Sequence, residues 1–178
     1  FIANANIFGK VYFPRLIMPL SVVISNLLKF AVQFIFFLAV LFYYIVIEKN
    51  ESIHLSWYIL LTPALILLMA LLGLSLGLIV SSLTTKYRDL VHLIGFGVQL
   101  MMYATPVVYS SSIVSGKMKT LLMLNPMTGI IESFRFAFLG KGTFDFGLLG
   151  YSLGVTLVLL TIAVFTFSRV EKSFMDTV

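Results

Sequence analysis

The chain has 178 residues, 60% hydrophobic and 11% charged, with a mean hydropathy of +1.08. Soluble domains carry roughly 25% charged residues, so this chain cannot cover a globule with solvated side chains. A water-soluble enzyme domain, a disordered tail and a nucleic-acid binder are all excluded on that count. The net charge of +5, from 12 Lys and Arg against 7 Asp and Glu, reads as a juxtamembrane bias toward anionic lipid.

Cysteine is absent, which removes disulfides, thiolate nucleophiles and Cys-based metal sites together. The chain opens at Phe1, with no charged leader and cleavage site before the first apolar run. The expectation is a fragment or processed form with natural sequence upstream.

Residues 1–19 mix apolar side chains with Asn4, Asn6, Lys10 and Arg15. Pro14 and Pro19 forbid one continuous helix across them. Two readings stand: a plain connecting loop, or a surface element with Tyr12 and Phe13 exposed beside Arg15 as a docking anchor.

A bilayer core needs about 20 apolar residues per helix, and the charges cut the chain into runs of about that length. The first predicted span is residues 20–47, ending in the uncharged FAVQFIFFLAVLFYYIVI. Lys29 interrupts it, either snorkelling to the headgroups or facing protein. The second is 57–83, the third 90–110 and the fourth 146–168. Tyr43, Tyr44, Trp57, Tyr58, Tyr109 and Tyr151 lie near the ends of these runs, as an interfacial aromatic belt requires.

Four crossings put both termini on one side. Lys10, Arg15, Lys86, Arg88, Arg169 and Lys172 share that face, and Lys49, Lys117, Lys119, Arg135 and Lys141 the other. The excess on the first face is small, and it favours cytoplasmic termini. No internal repeat or low-complexity linker divides the chain, so one membrane domain over residues 1–178 is expected.

The turn TTKYRDL joins spans two and three. Arg88 and Asp89 are adjacent and cannot face one another on a helix. Asp89 is placed to meet the dipole at the start of the third span, and the plainer reading is a solvated turn. Gly73 and Gly77 form GxxxG, which lets another helix approach closely. Pro63 and Pro106 fall inside spans two and three. Pro106 permits a kink near Tyr103, Thr105 and Tyr109. The spacing of Gln99, Tyr103 and Pro106 keeps one face, so a polar-aromatic stripe there suits a pathway for a sugar chain. Belt and core packing explain the same residues.

Residues 111–142 are too polar to span and too apolar for an exposed loop. LLML stops at Asn125-Pro126, and TGIIESFRFAFLG resumes helical spacing with Ile130, Ile131, Phe134 and Phe138 on one face. Thr128 is the predicted N-cap and Gly140 the predicted stop. Glu132 and Arg135 are placed to pair at i,i+3. Two short helices over 117–140 suit a re-entrant outer hairpin, or else an amphipathic pair lying flat on the outer surface.

The chemistry of an enzyme is missing. His54 and His92 are isolated, with no second ligand at metal spacing. The four runs contain no acid, no paired carboxylate and no ring of charges, and the sequence has no GxSxG and no P-loop. No metal site and no cofactor of its own is expected, and any energy source is expected on another chain.

In order, NANIFGKVYFPRLIMPLS, TTKYRDLVHLIGFGVQLMMYATPVVYS, LNPMTGIIESFRFAFLG and FSRVEKSFMDTV resemble the permease subunit of type-2 ABC transporters. The resemblance is to the branch that exports O-antigen, teichoic acid and related lipid-linked glycans, and it runs from about Asn4 to the end. It implies an all-α polytopic bundle with six spans in the complete subunit, four of them here, and about the first third missing. It implies a multi-pass protein of the bacterial inner membrane with cytoplasmic termini, working with a second permease copy and two ATP-binding subunits. ATP and Mg would belong to those partners, and a lipid-linked glycan would be the cargo.

By the same resemblance, Lys10, Tyr12, Phe13, Pro14 and Arg15 contact the ATP-binding subunit, on the face that also carries Tyr87, Arg88 and Asp89. Met101 to Tyr109 approaches the channel at its outer half, and with the stripe above this makes Gln99, Tyr103, Thr105, Pro106 and Tyr109 the expected path residues. The helices broken at Asn125-Pro126, with Glu132 and Arg135, form an outer gate. Glu171 in the cytoplasmic tail, residues 169–178, matches a recurrent ending of unknown role. Export of a drug or small lipid is the alternative within the family. A non-transporting membrane scaffold is the alternative outside it.

Overall fold

A computed structural model describes residues 17–48, 56–87, 89–107, 114, 116–142 and 144–175. Six α-helices and one short 3-10 turn make up the described secondary structure: α1 Ile17–Val46, the turn Trp57–Leu61, α2 Thr62–Lys86, α3 Leu90–Tyr103, α4 Lys117–Leu124, α5 Pro126–Leu139 and α6 Phe146–Met175. No strand occurs among the described residues. The chain is an all-α membrane helix bundle.

Helices α1 and α6 have 30 residues each and α2 has 25. At 1.5 Å per residue each exceeds a hydrocarbon core of about 30 Å, and these three elements are long and apolar enough to cross a membrane. α1 starts at Ile17 and carries Pro19 in its first turn, where a missing N–H leaves no gap. Pro63 was expected inside the second span. It does lie inside that span, at the opening turn of α2 after the 3-10 segment, so it starts that helix and does not kink it.

The third expected span differs most. α3 is a 14-residue helix ending at Tyr103, about 21 Å long, and not a continuous helix over 90–110. Pro106 is the cause: it has no N–H to give the preceding turn, and it drives Thr105 out of helical geometry.

Chain direction follows from the contacts. Leu65 on α2 and Leu149 on α6 belong to one apolar cluster, and Leu78 joins Ala163 and Phe167 in another. α2 and α6 are therefore parallel, so the chain must return the length of the bundle between them. α3 makes that return, since Thr105 just beyond its end meets Asn125 at the far end. The start of α1 lies beside the end of α2, where Met18 and Ser81 line one groove. The described ends of the chain thus share one end of the bundle.

The closest helix pair, α2 and α6, meets along small residues. Ser75, Ser152 and Ala163 are fully buried at 0% exposure, with Thr156 at 1%. Small side chains let two backbones approach, which is the main attraction available between helices in lipid. Three hydroxyls are satisfied within their own helices: Ser75 donates to the Leu72 carbonyl at 2.8 Å, Ser82 to Leu78 at 2.8 Å and Thr156 to Ser152 at 2.6 Å.

GxxxG is not this seam. At 100° per residue Gly73 and Gly77 lie about 160° around α2 from Ser75. A Cβ built on either meets nothing within 4 Å, and the two glycines line an open groove with Val22 and Asn26 of α1.

Ala163→Leu is expected to lower the stability of the detergent-solubilised chain by about 1–3 kcal/mol, because the seam has no room for the added carbons. Gly77→Ala is expected to raise it by up to about 1 kcal/mol, the helix propensity difference, since its Cβ enters open space. Chemical unfolding followed by circular dichroism measures both.

Candidate functional site: the α3–α4–α5 junction

The densest polar chemistry sits where the chain breaks twice, after Tyr103 and at Asn125-Pro126. Asn125 is the N-cap of α5, with its Oδ1 accepting the Met127 N–H at 3.0 Å and Pro126 following in the first helical turn. Thr128, expected as the cap, has another task. It lies inside the helix, and its hydroxyl donates to the Leu122 carbonyl of α4 at 2.6 Å. Asn125 wins the cap because Pro126 needs an extended residue before it, and Asn125 has φ −77 and ψ 116. Gly140 ends the helix in the left-handed region at φ 65, as expected.

Carbonyls on both sides of the Asn125-Pro126 break find donors. Leu122 O also accepts the Asn125 N–H at 3.2 Å. Leu124 O accepts from the Tyr151 hydroxyl at 2.9 Å, and Pro126 O from Ser152 Oγ at 2.6 Å. Tyr151 and Ser152 come from α6 and were not singled out as site residues. Their only advance signal was two adjacent hydroxyls at the start of an apolar run. Non-helical backbone deep in a bundle persists only with such donors.

α5 is inserted among the long helices. Thr128, Gly129, Ile130, Glu132, Ser133, Ala137 and Phe138 are buried, which covers most of its circumference. A helix lying flat on a surface buries one stripe. Ile130 packs on Leu65 and Leu68 of α2. The Phe138 ring stands edge-on to Phe34 and Phe37 of α1, with centroids 5.6 Å away in both cases. Those two residues lie roughly 13–18 Å along α1 before its end. The geometry favours the re-entrant reading of α5 over the flat one. α4, with Leu122 its one buried residue, is far more exposed.

Glu132 is an acid buried inside the bundle, contrary to the expectation of no acid within the membrane, because it lies on the inserted segment and not in one of the four runs. Its side chain is 3% exposed and that of Arg135 is 14% exposed, and Arg135 Nη1 donates to Glu132 Oε1 at 2.8 Å. The i,i+3 pair is present as expected. Gly142 completes the corner: its φ is 103, and a Cβ there would come within 2.6 Å of Glu132 Oε2. Arg135 also reaches the segment just beyond α3, donating from Nη2 to the carbonyls of Pro106 at 3.0 Å and Val107 at 3.1 Å. Asn125 Nδ2 donates to Thr105 Oγ1 at 3.0 Å.

The structure therefore brings together Thr105, Pro106, Asn125, Pro126, Glu132 and Arg135. It does not bring Gln99 and Tyr103 into that group. Both are exposed on α3, Tyr103 at 73%, while Pro106 is buried beneath α5. The face expected through 99, 103 and 106 does not continue, because the helix stops at Tyr103. Tyr109 lies outside the described residues.

At the opposite end, Tyr87 and Asp89 are exposed. Asp89 occupies the N-cap of α3 without a side-chain capping bond. Lys10, Tyr12, Phe13, Pro14, Arg15 and Arg88 lie outside the described residues. Among the described residues no group of three or more His, Cys, Asp or Glu side chains has metal-binding geometry.

Comparison with known proteins decides the family. A family model described as ABC-2 type transporter matches residues 8–139, well over half of the chain. The chain belongs to the ABC-2 type transporter family. Among proteins similar to this member are two described as O-antigen export system permease protein RfbA from Klebsiella pneumoniae. One is 31% identical over 93% of this chain and 62% of the relative, the other 30% identical over 99% and 65%. A Myxococcus xanthus protein of the same description is 28% identical over 95% of this chain and 63% of its own length. This family member thus spans slightly under two thirds of the length of these relatives.

Two substitutions test the junction. Glu132→Ala takes the carboxylate from a partly buried guanidinium that keeps its carbonyl acceptors, and is expected to cost about 1–3 kcal/mol. Gly129→Ala puts a Cβ within 2.7 Å of Ser152 Oγ and 2.9 Å of Leu148 O, and is expected to cost about 1–3 kcal/mol by forcing α5 off α6. Thermal unfolding in detergent reads both.

Proposed function

We propose that this chain is the membrane-spanning permease part of an ATP-driven exporter that moves a lipid-linked polysaccharide across the bacterial inner membrane. It acts as one of two permease copies beside two ATP-binding subunits. Those subunits bind ATP and Mg and carry out hydrolysis, and this chain carries no catalytic residue. The observation that carries the reading is the similarity, over nearly the whole chain, to O-antigen export system permease proteins.

The geometry supports it in four ways. Glu132, the acid buried among the helices, is paired with Arg135, which does not suit a proton-coupled carrier. α5 enters the bundle from the end opposite the described chain termini, the position an outer gate requires. Tyr103 and Gln99 are exposed on α3, the helix expected to face the path, and an aromatic ring there offers a stacking face to a sugar. At the other end the exposed Tyr87 and Asp89 flank the turn expected to meet the ATP-binding subunit, together with residues 10–15. Closure of the ATP-binding subunits would press on that turn, and it drives transport only if the cargo binds the inward and outward states differently. Both termini are then cytoplasmic.

The test is deletion and complementation in the source organism, with surface polysaccharide as the readout and co-purification with a Walker-motif ATPase as the companion measurement. Loss of surface glycan with intracellular build-up of its lipid-linked form is the expected result. Intact surface glycan with a stable monomeric permease overturns the reading. Intact glycan with loss of drug or small-lipid efflux transfers it to the other cargo class. Tyr103→Ala is expected to lower export several-fold, the effect of about 1 kcal/mol of aromatic contact. A non-transporting scaffold would leave export unchanged in that variant.

A further inference from the structure

Two side chains of α5 close on the segment just beyond α3. Thr105 and Pro106 are buried, so the open carbonyls of this non-helical segment need donors from protein. Asn125 attaches at one point. Its amide donates to Thr105 Oγ1 at 3.0 Å, and that hydroxyl passes its own proton to the Met101 carbonyl at 2.8 Å, inside α3. Arg135 attaches at the other point, through both the Pro106 and Val107 carbonyls.

Asn125 and Arg135 are ten residues apart, about 15 Å along the helix axis. One attachment would leave a pivot. The two side chains converge on three consecutive residues, 105–107, so that short segment is held from two different turns of α5. The residue type matters as well. A guanidinium presents several donors in a rigid plane, so one arm holds Glu132 while the other serves two carbonyls. Glu132 fixes the fork to α5 and so aims it at α3.

We infer that Asn125 and the Glu132–Arg135 pair clasp the non-helical end of α3 to α5, so that the two move as one body and Arg135 acts as the positioning residue of that body. The mechanical claim stands on these contacts. Its meaning for export rests on the gate reading of α5 proposed above.

The test uses the full chain in lipid nanodiscs and hydrogen–deuterium exchange. In Glu132→Arg/Arg135→Glu the ion pair is kept in reverse, but a carboxylate at 135 cannot donate to the carbonyls. Exchange across residues 104–107 is expected to rise roughly tenfold or more, the factor that corresponds to loss of a charge-assisted hydrogen bond. Exchange in the α2–α6 seam, around Ser75 and Ala163, is expected to stay as in the parent. Arg135→Lys, a point charge in place of a fork, is expected to give a smaller rise in the same segment. If the exchanged pair does not fold, the Lys variant decides alone. Unchanged exchange at 104–107, or an equal rise in the seam, overturns the clasp. Export assayed in the same variants separates the two proposals: faster exchange with intact export keeps the clasp and removes the gate reading.

Discussion

The constraint behind this structure is that backbone amides and carbonyls away from water must find partners. Within a helix they find each other. At a break they depend on side chains, and this chain has two breaks close together in space. Thr128, Tyr151, Ser152, Asn125 and Arg135 are the donors there. They come from α5, its N-cap and α6; four of them serve carbonyls of α4, α5 and residues 106–107, and Asn125 serves the Thr105 hydroxyl. The position of α5 is therefore set by polar chemistry at its ends and by Ile130 and Phe138 packing between them.

This division of labour differs from that of the long helices. α2 and α6 associate through small residues and apolar contact, with hydroxyls satisfied internally. α5 is bonded to what surrounds it. The membrane part combines a closely packed pair of parallel helices with an inserted segment whose contacts are directional, so sequence changes at the two places act through different physics.

Much of this was legible in the sequence for physical reasons. Long uncharged runs have one stable form in lipid, so α1, α2 and α6 could be placed to within a few residues at most boundaries. Asn125-Pro126 and Gly140 delimit α5 because proline and glycine constrain backbone dihedrals locally. Glu132 and Arg135 pair because i,i+3 neighbours share a helix face. Other features depend on tertiary partners. Thr128 is as good a cap by composition as Asn125, and only the carbonyl of Leu122 beside it shows why it does not cap. GxxxG names a surface able to accept a helix but not which face the fold uses, and here the seam lies on the far side. The kink allowed at Pro106 is a full stop because α5 supplies donors for the open carbonyls, which no local pattern announces.

The seam between α2 and α6 has one more consequence. Because the hydroxyls of Ser75, Ser82 and Thr156 bond back to their own helices, a small axial slip of one helix past the other ruptures none of these bonds. Ser152, which reaches across to Pro126, ties α6 to the inserted segment instead. Packing thus holds α2 against α6, while the Ser152 hydroxyl couples α6 to α5 by a directional bond.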